Sequence, residues 1–208
     1  MAILSRTEIQ HLIYEAPIDE RLCITPLTDP KNQIGEGTVD IRLGSHFIIY
    51  KGRKIETVDP TEENIPYKIR EFQEKIYIPY GKKFMLHPNE FILGGSLEYL
   101  RFPSNIIGYV VGRSSWGRLG LIIETSPIIH ACFTGILTFE LSNLSTAPIA
   151  LYPGTRIAQI VVHEIEGECT SCKIKLAESR YNLNTSPEFS KIYRDKELKK
   201  IRSVFNDE

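Results

Sequence analysis

Ten residues, Gly112-Arg113-Ser114-Ser115-Trp116-Gly117-Arg118-Leu119-Gly120-Leu121, bring together two guanidinium groups, two adjacent hydroxyls and three glycines. They follow the apolar run Ile106–Val111, the pattern of a strand that ends in a turn rich in anion donors. Arginine forks and hydroxyls bind phosphate oxygens through short, charge-assisted hydrogen bonds, and glycine lets a backbone approach a ligand closely. Nineteen residues beyond Leu121, in a second strand-like run, stands a lone carboxylate, Glu140. A phosphate cradle paired with one carboxylate suits nucleotide chemistry: the first grips a polyphosphate, the second moves protons.

Those groups must be carried by regular elements. Ser5-Arg6-Thr7-Glu8 has the form of a capping box, and Ile9, Leu12 and Ile13 follow at helical spacing, which predicts a short helix near 6–15 ended by Pro17. Beyond it the chain breaks into short β-branched and aromatic runs: Thr38–Leu43, His46–Tyr50, Lys75–Ile78, Lys83–Leu86, Phe91–Gly94, Ile106–Val111, Ile136–Leu141, Ile149–Leu151 and Ile157–His163. Clusters of Gly, Pro, Asn and Asp separate them, the signature of a mainly β barrel or sandwich. In the run around Glu140, strand alternation puts Thr138, Glu140 and Ser142 on one face and Leu137, Phe139 and Leu141 on the other. The polar stretch 51–74 reads as an excursion from the β core.

After about residue 172 the composition shifts, which divides the chain into a β domain, 1–172, and a C-terminal arm, 173–208. Ser186-Pro187-Glu188 has the residue types of a helix start, with Phe189, Ile192, Tyr193, Leu198 and Ile201 as its apolar face. The arm carries nine Lys and Arg against six Asp and Glu. Such a basic segment either closes over a triphosphate or is a solvated terminal helix.

The formal net charge of −1 argues against a general nucleic-acid binder. No apolar run reaches the ~18–20 residues that span a bilayer, and the N-terminus lacks the apolar stretch of a secretory signal, so a cytoplasmic protein without membrane contact is expected. In that compartment Cys23, Cys132, Cys169 and Cys172 are expected to be reduced. Cys169-Thr170-Ser171-Cys172 is a C-x-x-C pair, but no second such pair and no H-x-x-x-H accompany it, so no zinc site is expected.

Taken in order, several blocks resemble the dCTP deaminase branch of the dUTPase-like superfamily, over most of the chain. Ile3–Ile9 resembles its N-terminal helix, and Gly37-Thr-Val-Asp40-Ile-Arg42-Leu43-Gly44 its S-V-D-L-R-L-G strand. Leu86-His-Pro88-Asn89-Glu90-Phe91-Ile-Leu93 resembles L-x-P-G-E-F-x-L, with Asn89 where glycine is usual. The Gly112–Leu121 loop is followed by Gly135-Ile-Leu-Thr-Phe-Glu140-Leu-Ser-Asn143 and Leu151-Tyr-Pro153-Gly154-Thr-Arg156-Ile157-Ala-Gln159, similar to G-x-I-T-L-E-L-x-N and L-x-P-G-M-R-I-x-Q. Any one block is weak; their succession is specific. The resemblance implies a distorted, jelly-roll-like β-barrel of dUTPase type, with a short N-terminal helix and a helical C-terminal arm. It also implies a homotrimer whose sites lie at subunit boundaries.

It implies hydrolytic deamination of dCTP to dUTP and ammonia, with Glu140 shuttling protons between water, N3 and the leaving amine. Ser114 and Arg118 would line the site beside it, Arg118 helping to hold the reacting water. Arg113, Ser114 and Ser115 would hold phosphate oxygens. Thr138 and Gln159 would contact the nucleotide, and Tyr181 and Lys191 the phosphates, although the Tyr181–Lys191 spacing is a few residues long for the family. The rival zinc-hydroxide route needs H-x-E or C-x-E followed by P-C-x-x-C. Neither H-x-E nor C-x-E occurs and Glu168 precedes the C-x-x-C, so deamination without a protein-bound metal is expected. Mg2+ would enter only with the triphosphate.

One block departs from the family. Ile129-His130-Ala131-Cys132-Phe133 stands where I-D-x-G-F is usual, and the Glu124–Pro127 segment before it is one residue short. The family aspartate faces the sugar 3′-hydroxyl and, in the dUTPase branch, helps activate the hydrolytic water. His130 still offers a hydrogen bond but not the negative charge, so poor dUTP pyrophosphatase activity is expected. Cys132 places a side chain where glycine geometry is usual. Three functions stay open: a dCTP deaminase; a diphosphatase acting on dUTP or on both nucleotides; and a regulator that binds dCTP, dUTP or dTTP with little turnover.

Overall fold

The computed structural model describes residues 3–52, 57–167, 172 and 179–206. Helix α1, Arg6–Tyr14, starts as expected: Ser5 Oγ accepts from the Glu8 N–H, and the Glu8 side chain reaches back to the Ser5 backbone. Ile9 and Ile13 are its buried face.

Eleven strands follow among the described residues: β1 Cys23–Thr25, β2 Thr38–Tyr50, β3 Gln73–Tyr77, β4 Phe84–Leu86, β5 Phe91–Arg101, β6 Ile106–Gly112, β7 Leu121–Glu124, β8 Ile128–Ile129, β9 Thr134–Asn143, β10 Ile149–Leu151 and β11 Arg156–Glu164. The main sheet runs β7-β9-β5-β2-β11-β6-β8, with β1 beside β5 and β3 beside β2, while β4 and β10 form a separate pair. The result is the expected mainly β, curled, barrel-like fold. Its interior is filled by Phe47, Phe102, Phe139, Ile41, Leu43 and Leu100, among others.

The two runs expected at 38–43 and 46–50 are one strand. Gly44 joins them because a Cβ there would sit 2.8 Å from the Ser96 carbonyl oxygen and 3.0 Å from that of Gly95. The β2–β5 register shifts across this point, between Leu43 and Phe47. The excursion at 51–74 contains a short helix, α3 (Ile65–Phe72), after the single turn α2 (Pro30–Gln33). Its Ile65 and Ile69 are buried.

The helix expected to start at Ser186 does not form there. Ser186 accepts from Lys75 Nζ at 3.2 Å, and the Pro187 ring packs where a Cβ on Gly95 would stand. These contacts hold the segment against the sheet. The terminal helix α5, Lys196–Asn206, begins instead after Asp195, whose Oδ1 accepts from the Glu197 N–H at 2.9 Å. Between Ser114 and Gly117 the chain makes one further helical turn, α4.

The expectation of reduced cysteines is also corrected. Cys132 and Cys172 form a disulfide with their Cα atoms 5.2 Å apart, inside the usual window. Sequence spacing groups Cys172 with Cys169, which lies outside the described residues; the partner comes from 40 residues upstream. Cys23 is a free thiol.

Two non-glycine residues occupy the left-handed region where the family pattern has glycine: Asn89 at φ 63° and Cys132 at φ 68°. Asparagine tolerates that region; for Cys132 it costs on the order of 1–2 kcal/mol, and the cross-link helps to hold it there.

Closing a 40-residue loop is worth about 4 kcal/mol in the chain-entropy account. Cys172→Ser, or a reductant, should therefore lower the melting temperature by roughly 10 °C in calorimetry. A transition indifferent to reductant would show the pair to be open. A second expectation concerns Glu98, which is fully buried on β5. Burial pushes its carboxyl from 4.5 up to about 7, against hydrogen bonds from the Arg42 N–H and the Gln33 side chain. The folded chain keeps a proton there that the unfolded chain releases above about pH 4.5, so this stability is lost as pH rises through 7. Melting scans between about pH 5 and 8 should show that decline, and Glu98→Gln should flatten it.

Candidate active site

Strand β9 aims the central carboxylate. Leu137, Phe139 and Leu141 are buried, so Glu140 and its neighbours Thr138 and Ser142 face the other way. Across the ladder Glu140 is opposite Leu93 of β5 and Glu124 of β7. The strand ends on Asn143, a buried amide with every hydrogen-bonding group used. Its Nδ2 donates to the Leu86 and Ala147 carbonyls, and its Oδ1 accepts from the Ser145 N–H and hydroxyl.

Glu140 opens into a cavity of about 490 Å³. Thr138, His130 and Tyr181 line it too, so four of the residues expected from sequence come together. Apolar walls come from Leu93, Phe91, Ile128, Ile129, Phe133 and Ile136. Tyr50 completes the wall, its ring edge-on to Phe91 with centroids 5.3 Å apart. Burial pushes the Tyr50 phenol up, the Glu140 charge adds to this, and a hydrogen bond with Gln73 opposes it.

The arm supplies the remaining side. Asn182 Oδ1 accepts from the Thr134 N–H at 3.3 Å, and the Asn184 carbonyl accepts from the Ile136 N–H at 3.1 Å. The arm thus lies along the first half of β9. Ser179, Tyr181, Asn184, Glu188 and Ser190 then line the cavity. Tyr181 and Lys191, ten residues apart, touch: the Lys191 N–H donates to Tyr181 Oη at 2.8 Å, and Lys191 Nζ lies 5.2 Å from the ring centre. That nitrogen also donates to the Arg180 carbonyl and pairs with Glu188. Lys191 itself lines an adjoining cleft rather than the Glu140 cavity.

The anion-donor loop lies elsewhere. None of Arg113, Ser114, Ser115, Arg118 or Gln159 lines the cavity that holds Glu140. The loop is anchored to the start of β11: the Arg113 N–H donates to the Ile157 carbonyl at 3.0 Å, and Trp116 Nε1 to the Arg156 carbonyl at 3.0 Å. Ser114, Ser115 and Arg118 are exposed on α4 and at its end. Arg113 and Gln159 meet at Asp40, which accepts from Arg113 Nη1 at 2.6 Å, Arg156 Nη1 at 3.0 Å and Gln159 Nε2 at 2.8 Å. Among the described residues no group of three or more His, Cys, Asp or Glu is placed to hold a metal ion.

A family model described as dCTP deaminase-like matches residues 3–165. This chain belongs to the dCTP deaminase-like family. A "dCTP deaminase, dUMP-forming" of Dictyoglomus turgidum is 38% identical over 194 residues, covering 93% of this chain and 96% of the relative. A dCTP deaminase of Natronomonas pharaonis is 36% identical over 197 residues, covering 94% and 97%. Among solved structures, the 2′-deoxycytidine 5′-triphosphate deaminase from Agrobacterium tumefaciens shares the fold, with a TM-score of 0.58 and 22% identity over 79% of this chain and 49% of that one. Tyr50, Gln73, Phe91 and Asn184 were not expected at the site from the family blocks, because strand pairing and the return of the arm bring them there.

Arm docking relies on Gly135, at φ 145°, where a Cβ would collide with Asn184 Oδ1. Gly135→Ala should cost about 1–3 kcal/mol locally. Limited trypsin digestion should then release the arm sooner than in the parent. Equal digestion rates would show that the arm is held by other contacts.

Proposed function

We propose that this chain hydrolyses the 4-amino group of dCTP, yielding dUTP and ammonia. The observation that carries the reading is the exposed Glu140 carboxylate inside a largely apolar cavity large enough for a nucleoside, in a chain of the dCTP deaminase-like family. Water adds at C4 while Glu140 takes its proton and passes it to N3. A second transfer, from the added hydroxyl to the amine, lets ammonia leave and returns Glu140 to its starting state. Thr138 and the Tyr50–Phe91 wall hold the base.

Ser114, Ser115 and Arg118 are exposed and have no side-chain hydrogen bond among the described residues, outside the cavity. In this reading the same loop of a second copy completes each site in a homotrimer, its hydroxyls and guanidinium groups meeting the phosphates and the reacting water. The substrate is the magnesium complex of dCTP, the ion travelling on the phosphates. The 173–208 arm covers the triphosphate through Tyr181 and Lys191, and the enzyme works on the cytoplasmic nucleotide pool.

A second reading, direct formation of dUMP, is favoured by the activity named for the Dictyoglomus turgidum relative. His130 argues against it here, because an imidazole brings no negative charge to a hydrolytic water, as a carboxylate does. Parallel assays of ammonia and pyrophosphate from dCTP and dUTP separate the readings. Ammonia without pyrophosphate is expected, and pyrophosphate matching ammonia would establish the dUMP-forming route. Tight dCTP binding with neither product would establish a regulator. Glu140→Gln should lower kcat by about 10²–10⁴-fold; turnover at the parental rate would remove Glu140 from the mechanism.

A further inference from the structure

Asp40 sits on β2 directly across the ladder from Gln159, and its side chain is only 7% exposed. Both oxygens are engaged: Oδ2 accepts from Arg113 and Arg156, Oδ1 from Gln159. Its backbone carbonyl is also held, by Gln33 Nε2 at 2.9 Å. We propose that Asp40 is a positioning residue for the nucleotide: it fixes the guanidinium of Arg113 and the amide of Gln159 in the orientations that receive the substrate. The proposal rests on the deaminase reading given above.

Three features support it. An ionised carboxylate only accepts hydrogen bonds, so it forces the Gln159 amide nitrogen inward and leaves the amide oxygen facing away. Gln159 therefore presents an acceptor, suited to a hydroxyl or amine of the nucleoside rather than to a phosphate. Arg113 donates through one nitrogen to Asp40 and stays 30% exposed, with its other N–H groups available to an anion. One carboxylate against two guanidinium groups leaves the cluster with net positive charge, so order is gained without cancelling the attraction for phosphate. The loop that begins at Arg113 shares this support, because Trp116 donates to the carbonyl of Arg156.

The test compares Asp40→Asn, Arg113→Ala and the double variant with the parent, using dCTP and magnesium, with melting scans alongside. Asp40→Asn should raise KM at least about tenfold with kcat within about threefold, since it acts on binding that is uniform along the reaction. The double variant should cost less than the product of the two single penalties, because part of the Asp40 effect runs through that arginine and the rest through Gln159. An unchanged KM with a lowered melting temperature, or penalties that multiply, would overturn the proposal in favour of a purely structural role. If Asp40→Asn does not fold, Asp40→Glu keeps the charge while moving it by one methylene; the same KM rise supports positioning and a parental KM overturns it. If the parent releases no ammonia, the deaminase reading fails. Calorimetry with inorganic tripolyphosphate then decides about Asp40: weaker binding by the Asp40→Asn chain supports the positioning role and equal binding overturns it.

Discussion

The burial of one face of β9 is the constraint on which the site depends. Phe139 and Leu141 have no exposed surface, and Leu137 is nearly enclosed, so the strand cannot rotate without dragging three large side chains out of the core. Because the side-chain period is two, a slip of one residue would carry Glu140 inward and Phe139 into the cavity. Asn143 fixes the far end of the strand through four hydrogen bonds, and the arm fixes the near end through Asn182 and Asn184. The position of the carboxylate is thus set by packing and register, which makes it independent of any contact made by Glu140 itself.

Much of this frame was legible in the residues. Strong local signals translated directly: the Ser5–Glu8 box gave α1, and the alternation through 137–142 gave the correct outward face. Most of the remaining strands were also visible as runs, although β5 is longer than expected and β1, β7 and β8 lie outside those runs. Those short strands are held by pairing with distant neighbours, a property that periodicity over a few residues does not register. The helix expected at Ser186 shows the opposite failure. Its local residue types were sound, but packing of Pro187 on Gly95 and the bond to Lys75 outweighed them.

The site was legible in parts. Glu140, Thr138, His130 and Tyr181 share a cavity, whereas none of Arg113, Ser114, Ser115 and Arg118 lines it. Asp40 carries no functional signal in the sequence, since nothing in one sequence shows that its strand lies beside that of Gln159. Its burial beside Gln33 and Glu98 shows how this sheet handles internal charge. Asp40 is met by cationic donors at its carboxylate, whereas Glu98 receives only neutral donors from Arg42 N–H and Gln33. Burial therefore drives Glu98 toward its neutral form, and no net charge needs to be held in that part of the core.

The cross-link at Cys132 also sets how far the arm can travel. Cys172 is fastened beside the His130 loop, and Tyr181 follows nine residues later. Nine residues of fully extended chain reach no more than about 30 Å. A phenol leashed within a hemisphere of that radius is present at an effective concentration of tens of millimolar, on the order expected for a short tether. That concentration favours the docked position, in which Asn182 and Asn184 bond to β9.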